Sequence, residues 1–377
     1  MMLSRLLWFV VVLALSACSS STSKVGGVQP TLLSDFKQTA SFAVRWHEQL
    51  GDSGNYVLHS ALGKTSIVGA STKGILTALE RSSGKILWQV NTGMVVSGGV
   101  GGDESLWVVG GDKGDVLAYD AAGKQLWKSK VSSEVLSVPQ VADGVVVVRS
   151  GDGRIVGLAV ADGKRLWSYD RTTPTLVVRS FASVTIQRGL VYAGFAAGKL
   201  VALEIKSGNL VWENSVSQPR GNTELDRISD ITSNVVVDDE QACAIAFQGR
   251  VACFDAAQGS PLWNRDISSD KGLMLLRKYL YLTDDHGAVM ALDKSTGSTL
   301  WKNEQLLLRD TTAPYSFAEF AVVGDFESYL HGLNREDGRL VARMKLDGSP
   351  VSGAPLELDD GLLVQTRKGG LYSITLH

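Results

Sequence analysis

Histidine and cysteine side chains most readily bind metals or act as nucleophiles, and this 377-residue chain has five of the first and three of the second. A metal cage needs several of them at ligand spacing. His47, His59, His286, His331 and His377 are scattered instead, and Cys243 and Cys253 stand ten residues apart. No glycine-rich phosphate loop or serine-nucleophile elbow occurs. Asp, Glu and Asn nowhere cluster at a spacing that separates calcium ligands from turn residues. The expectation is no catalytic residue, no metal and no cofactor, with the histidines on the surface or between strands. Cys243 and Cys253 flank a turn near Gln248-Gly249 within one predicted hairpin. An odd-length loop would make them face each other, and an oxidising compartment would then permit a disulfide. A two-residue turn would put them out of register as two small buried thiols, the outcome favoured here.

The remaining cysteine, Cys18, has a different context. Residues 1–17 carry Arg5 as a positive flank, an apolar stretch from Leu6 to Leu15 and the small pair Ser16-Ala17. Ten apolar residues in a helix rise only about 15 Å, half a bilayer, which predicts a signal peptide rather than a span. The ending Leu15-Ser16-Ala17-Cys18 resembles the lipobox of bacterial lipoproteins, in which a peptidase cuts before the cysteine and its thiol and amino group are acylated. That resemblance implies lipidation at Cys18, and Ser19 in place of an aspartate implies an outer-membrane address. The following residues to 40 begin with a small, polar, glycine-containing run and predict a flexible tether. Some twenty such residues span roughly 25 Å.

With 44% hydrophobic residues the chain can build a sizeable core, and a net charge of −2 argues against nucleic-acid binding. The body, residues 41–377, repeats. GILTALERSSGKILW ends at Trp88, GDVLAYDAAGKQLW at Trp127, GRIVGLAVADGKRLW at Trp167, GKLVALEIKSGNLVW at Trp212, GRVACFDAAQGSPLW at Trp263 and GAVMALDKSTGSTLW at Trp301. A seventh copy, Ser328 to Ala342, lacks the glycine start and the tryptophan, and an eighth begins at Gly369 and stops. Each copy reads as two strands and a turn; a preceding strand turns into it, as at Gly151-Asp152-Gly153, and a further short strand, such as Ser137 to Val141, fits before that. Tryptophan spacings of 38 to 51 residues fit four-stranded propeller blades. The fold expected is all-β, an eight-bladed propeller in which FAVRW, Phe42 to Trp46, completes the unfinished eighth blade and closes the ring.

The repeated tryptophans resemble the docking motif of quinoprotein-type propellers, where each indole packs on the neighbouring blade. Quinoprotein dehydrogenases hold a redox cofactor on calcium beside an adjacent Cys-Cys pair. That vicinal pair is missing here and the chain is shorter, so a non-enzymatic propeller is expected. The departures from the repeat lie in its connections. From tryptophan to the next glycine most blades take 24 to 28 residues, but Trp167 to Gly198 takes 31 and Trp212 to Gly249 takes 37. Loops on a rigid scaffold are where binding usually resides. The residues alone leave two readings open: Leu176, Val178 and Leu225 centre an interface, or they pack beneath the longer loops.

The lipobox, the short tether and an eight-bladed propeller with TELDRISD, Thr223 to Asp230, in a long loop resemble the BamB family, the propeller lipoproteins of the outer-membrane β-barrel assembly machinery. The resemblance covers essentially the whole chain. It implies a scaffold in the outer membrane, lipid-anchored and facing the periplasm, that binds the POTRA domains of the insertase BamA and assists insertion of β-barrel proteins. It assigns partner binding to Leu176, Val178, Arg179 and Asp230, with Val178 where the family has leucine and Thr232 where it has an acid. Two roles stay open on that reading: the propeller orients the POTRA domains, or it holds unfolded outer-membrane clients as a second partner, by strand addition. The competing readings are an unrelated lipoprotein that binds peptides or peptidoglycan in the funnel, and a quinoprotein dehydrogenase.

Overall fold

The computed structural model describes residues 29–377 apart from Thr173. The expected signal peptide and Cys18 lie outside the described residues. Eight four-stranded antiparallel sheets form the blades, each built from consecutive strands except the last. Blade 3 is typical, with strands Gln140–Ala142, Val145–Arg149, Ile155–Ala159 and Arg165–Tyr169 running from the centre outward. Blade 8 joins Leu356–Leu358, Gly361–Gln365 and Gly370–Leu376 to the N-terminal strand Phe42–Gln49, so the two ends of the body close one sheet as expected.

A blade stacks on a neighbour with both faces, and this explains the composition of its strands. Val145 to Val148 are buried without alternation, whereas Arg165 to Tyr169 on the rim bury mainly Trp167. The core is correspondingly divided into slabs between blades. Leu106, Val108 and Val116 of blade 2 meet Val146, Val148 and Leu158 of blade 3 in one of them.

The repeated tryptophan and glycine form the joints between blades. Trp127 Nε1 donates to Val160 O of blade 3 at 2.8 Å, and Trp167 Nε1 to Ile205 O of blade 4 at 2.8 Å. The same bond recurs at Trp46, Trp88, Trp212, Trp263 and Trp301. Each indole covers the next blade's turn glycine. At Gly163, with φ +71°, an added Cβ would stand 2.5 Å from the Trp127 ring, so the glycine is needed for both its backbone and its bareness. A bulge beside every such tryptophan inserts one residue into the rim strand, as between Gly157 and Leu158, where Leu166 is the extra residue. The bulge turns Trp167 towards its joint and leaves Leu166 on the outside.

Blade 7 departs from this pattern because the chain ends replace the turn that an indole would cover. Ala342 stands at the tryptophan position, opposite Gly332. The N-terminal segment fills the space: Thr39 N and Ala40 N donate to Val341 O at 3.0 and 3.1 Å, and Ser41 N to His377 O at 2.8 Å. Further back, Arg343 donates to Ser34 O at 3.0 Å and lies over Phe36, and Thr31 N donates to Leu307 O at 3.0 Å. Residues 29–40, assigned to the tether from sequence, are therefore laid along blades 6 and 7. Their early end, at Pro30, reaches the Gly287 turn. The alternation of strand direction places that turn on the same face of the ring as the blade-to-blade connections.

The expectation of free thiols is overturned: Cys243 and Cys253 form a disulfide. Ile245 pairs with Val251, so the loop 246–250 has five residues and brings the two cysteines directly opposite each other. Among the histidines, His331 is buried between strands, and His59 is half-buried within the connection into blade 1, its ring against Gly353.

Candidate partner-binding site

The connections 170–184 and 216–235 hold 15 and 20 residues, against 4 to 11 between the other blades. Both stand on the face opposite the tryptophan joints, beside the turns between the second and third strands. Their neighbouring positions in the ring let one side chain fasten both. Asp230 is that side chain. Its Oδ2 accepts from Val178 N of the first loop at 2.8 Å and its Oδ1 from Ala197 N of blade 4 at 3.0 Å. Ser180 Oγ donates to Thr232 O at 3.3 Å, and Ser183 N to Asn234 Oδ1 at 2.7 Å. A carboxylate with both oxygens accepting backbone N–H groups is a strong clamp.

The second loop braces its own tip. Thr223 N donates to Asp226 Oδ2 and Asp226 N to Thr223 Oγ1, each at 3.1 Å, as in a capped helical turn. Arg227 Nε donates to Gly221 O at 3.2 Å. The Gln248 side-chain amide, with its nitrogen towards the loop, donates to Leu225 O at 3.2 Å and Ile228 O at 3.1 Å. This leaves the Leu225 side chain 65% exposed on a fixed backbone.

The four residues singled out from sequence therefore fall into different roles. Leu176 is 42% exposed, Val178 is half-buried, and Arg179 is exposed. Asp230 is only 4% exposed and fully engaged, so it positions the loops and offers a partner no free oxygen. Of the two readings left open for the apolar residues, packing beneath the loops fails for Leu176 and Leu225 and holds in part for Val178. Val177, not singled out beforehand, is as exposed as Leu176. The run Thr175-Leu176-Val177-Val178 carried that signal, since three adjacent apolar residues outside a strand cannot all face inward.

Arg179 reaches across to another connection on the same face. Its guanidinium lies 5.4 Å from the Phe181 ring and 5.6 Å from that of Tyr56, which belongs to the connection between blades 8 and 1. At the start of the loop, Arg171 is ion-paired with Glu213, which holds that carboxyl below the usual range. Between the loops lies a cavity of about 460 Å³, lined by Val177, Val178, Arg179, Arg149, Phe195 and Thr232 among others. No group of histidines, cysteines and acids suited to a metal ion occurs among the described residues. The site is a braced apolar and cationic surface, fit for binding a protein.

The family model described as outer membrane protein assembly factor BamB matches residues 72–303. The chain is 42% identical to the outer membrane protein assembly factor BamB of Nitrosomonas eutropha over 88% of its own length and 81% of the relative's. The crystal structure of BamB from Moraxella catarrhalis superposes with a TM-score of 0.82 at 27% identity, covering 89% of this chain and 99% of that one. A quinohemoprotein alcohol dehydrogenase from Comamonas testosteroni gives a TM-score of 0.72 over 88% of this chain and 76% of its own, but at 13% identity it shares the fold alone.

Proposed function

The chain belongs to the BamB family of outer membrane protein assembly factors, and from that premise we propose that it is a scaffold lipoprotein that holds the POTRA domains of the insertase BamA through the two braced loops. It works by contact and placement, as an assembly factor rather than a dehydrogenase. The observation that carries the reading is the double hydrogen bond of Asp230, which fixes two long loops to each other and to blade 4 while Leu176, Val177 and Leu225 stay exposed. Exposed apolar side chains on an ordered backbone lose little entropy on binding, and an arginine beside them adds orientation.

Lipidation at Cys18 would anchor the chain in the outer membrane with the propeller on the periplasmic side. The docked segment reaches the loop face of the ring at Pro30, so the anchor would enter from the side that carries the loops. Anchoring there raises the local concentration of the scaffold near the insertase. No helix among the described residues is long and apolar enough to cross a membrane.

The test is a pull-down of the tagged, detergent-solubilised chain beside its Arg179→Glu variant, with folding checked by circular dichroism. The expected result is recovery of the insertase by the parent chain and its loss with the folded variant. Equal recovery by both would remove Arg179 from the contact. Recovery by neither, in mild detergent and low salt, would overturn the proposed partner.

A further inference from the structure

Two arginines line the cavity between the loops, and neither has a carboxylate partner among the described residues. Arg149 closes the second strand of blade 3, the guanidinium carbon 5.1 Å over the Phe195 ring, and its one hydrogen bond is a long contact of 3.5 Å to Ala182 O. The Arg179 guanidinium lies over the faces of Phe181 and Tyr56 and makes no ion pair among the described residues. The acids that line the same cavity are already engaged. Asp230 accepts two backbone N–H groups, Asp152 accepts from Ser150 Oγ at 2.6 Å and pairs with Arg154, and Glu134 accepts from its neighbour Ser133. Thr232 Oγ1, on the same wall, has no hydrogen-bond partner among the described residues.

Arg149 is half-buried, and an arginine drawn partly out of water without an anion is costly to the fold. Desolvation brings the Arg149 pKa down to about 10, which leaves it charged at neutral pH. Elsewhere the chain supplies a partner for such a group: Arg171, over the same Phe195 ring, is paired with Glu213, and buried Arg309 with Asp325. The cavity at about 460 Å³ has room for one side chain and for the five-donor fork of a guanidinium to grip it. A carboxylate matches that fork with two parallel bonds.

We propose that the cavity is a carboxylate site, built on Arg149 with Arg179 at its mouth, that receives an aspartate or glutamate side chain of the protein docked on the two loops. The inference rests on the reading of those loops as the insertase-binding surface. It adds the chemistry that fixes register there: exposed leucines and valines supply contact area, and one inserted acid supplies direction.

The experiment replaces Arg149→Met, which keeps an unbranched chain over Phe195 and removes the charge. The full chain and the full-length insertase, both in detergent, are compared for affinity, and the free chain for its melting temperature. The site requires affinity to fall at least tenfold, mainly through faster dissociation, while the melting temperature holds or rises because an unpaired, half-buried cation is gone. A structural arginine would do the reverse, lowering the melting temperature and leaving the folded fraction to bind as before, which would overturn the site. Unchanged affinity in Arg149→Met, with Leu225→Asp still impaired, would overturn the site and leave the loop surface standing. Failure of the parent chain to bind would overturn the loop surface and the site together. Acid-to-amide replacements across the insertase's POTRA domains complete the test. The acid in the cavity is the one whose loss is not additive with Arg149→Met, and strict additivity for all of them would also overturn the site.

Discussion

The two faces of the ring use apolar side chains in opposite ways. On the joint face, seven indoles each cover a neighbour's glycine and donate to a neighbour's carbonyl, the same motif repeated around the circle. On the loop face, two irregular connections are clamped by polar groups, and Leu176, Val177 and Leu225 point outward. The repeated face spends its apolar surface on closing the ring. The irregular face holds its backbone with hydrogen bonds instead, which keeps apolar surface free for a partner. Uniformity marks stability in this molecule, and departure from uniformity marks recognition.

The largest effect should come from breaking a joint. Trp167→Ala removes an aromatic wedge between blades 3 and 4, and a loss of about 3–5 kcal/mol is expected in urea unfolding. Because the loops lie on the other face, the folded fraction should bind the insertase as the parent does. A loss of affinity without loss of stability would erase the distinction between the faces. Gly208→Ala attacks the same joint from the other side. A Cβ there stands 2.5 Å from the Trp167 ring on a backbone with φ +70°, and about 1–3 kcal/mol should be lost.

Asp230→Ala lies between the two behaviours. It leaves Val178 N and Ala197 N without their acceptor, each worth about 1–3 kcal/mol if it stays buried, though a loop can recover part of that from water. Hydrogen exchange should accelerate at Val178 and Ala197 with little change around Trp212, and affinity for the insertase should fall because the surface is no longer pre-ordered. Full affinity with accelerated exchange would separate binding from the clamp.

The smallest effect concerns pH. Burial holds the pKa of His331 below the ordinary imidazole value, against its hydrogen bond to the Asp325 carboxylate, and burial alone does so for His59. The unfolded chain therefore takes up protons first as pH falls below about 6.5, so the stability these residues contribute is complete above that pH and lost on acidification. The effect is about 1.4 kcal/mol for each unit of difference between folded and unfolded values. His331→Gln should flatten the fall in melting temperature between pH 7 and pH 5, and an unaltered slope would remove His331 from the account. His331 belongs to blade 7, the one blade joined without an indole, so this measurement also probes the exception to the repeated joint.

Most of the ring was legible in the sequence because each blade repeats its reasons. The glycine, the leucine and the tryptophan of GKRLW specify in turn a turn beneath a neighbour's indole, a bulge residue and the next indole. FAVRW and the unfinished eighth copy likewise foretold closure. The short inner strand expected over Ser137 to Val141 appears as Gln140–Ala142, since Pro139 cannot enter the ladder. What sequence could not supply was the state of single side chains. The Cys243–Cys253 bridge depended on one residue of loop length. Asp230 reads as a charged loop residue like Asp226, and only the meeting of Val178 N and Ala197 N on its two oxygens makes it a buried clamp. Arg149 carried no signal at all, because an arginine at the end of a strand is ordinary until its missing partner is seen.

The most direct test compares exposed leucines on different parts of the ring. Leu176→Asp with Leu225→Asp alters the loops, and Leu126→Asp with Leu262→Asp alters bulge residues on the rim, which are 49% and 52% exposed. Each pair should leave stability within about 0.5 kcal/mol per substitution. Affinity of the full chain for the insertase should fall at least tenfold in the loop pair and stay unchanged in the rim pair. Loss of affinity in the rim pair with retention in the loop pair would contradict the assignment of recognition to the two braced loops.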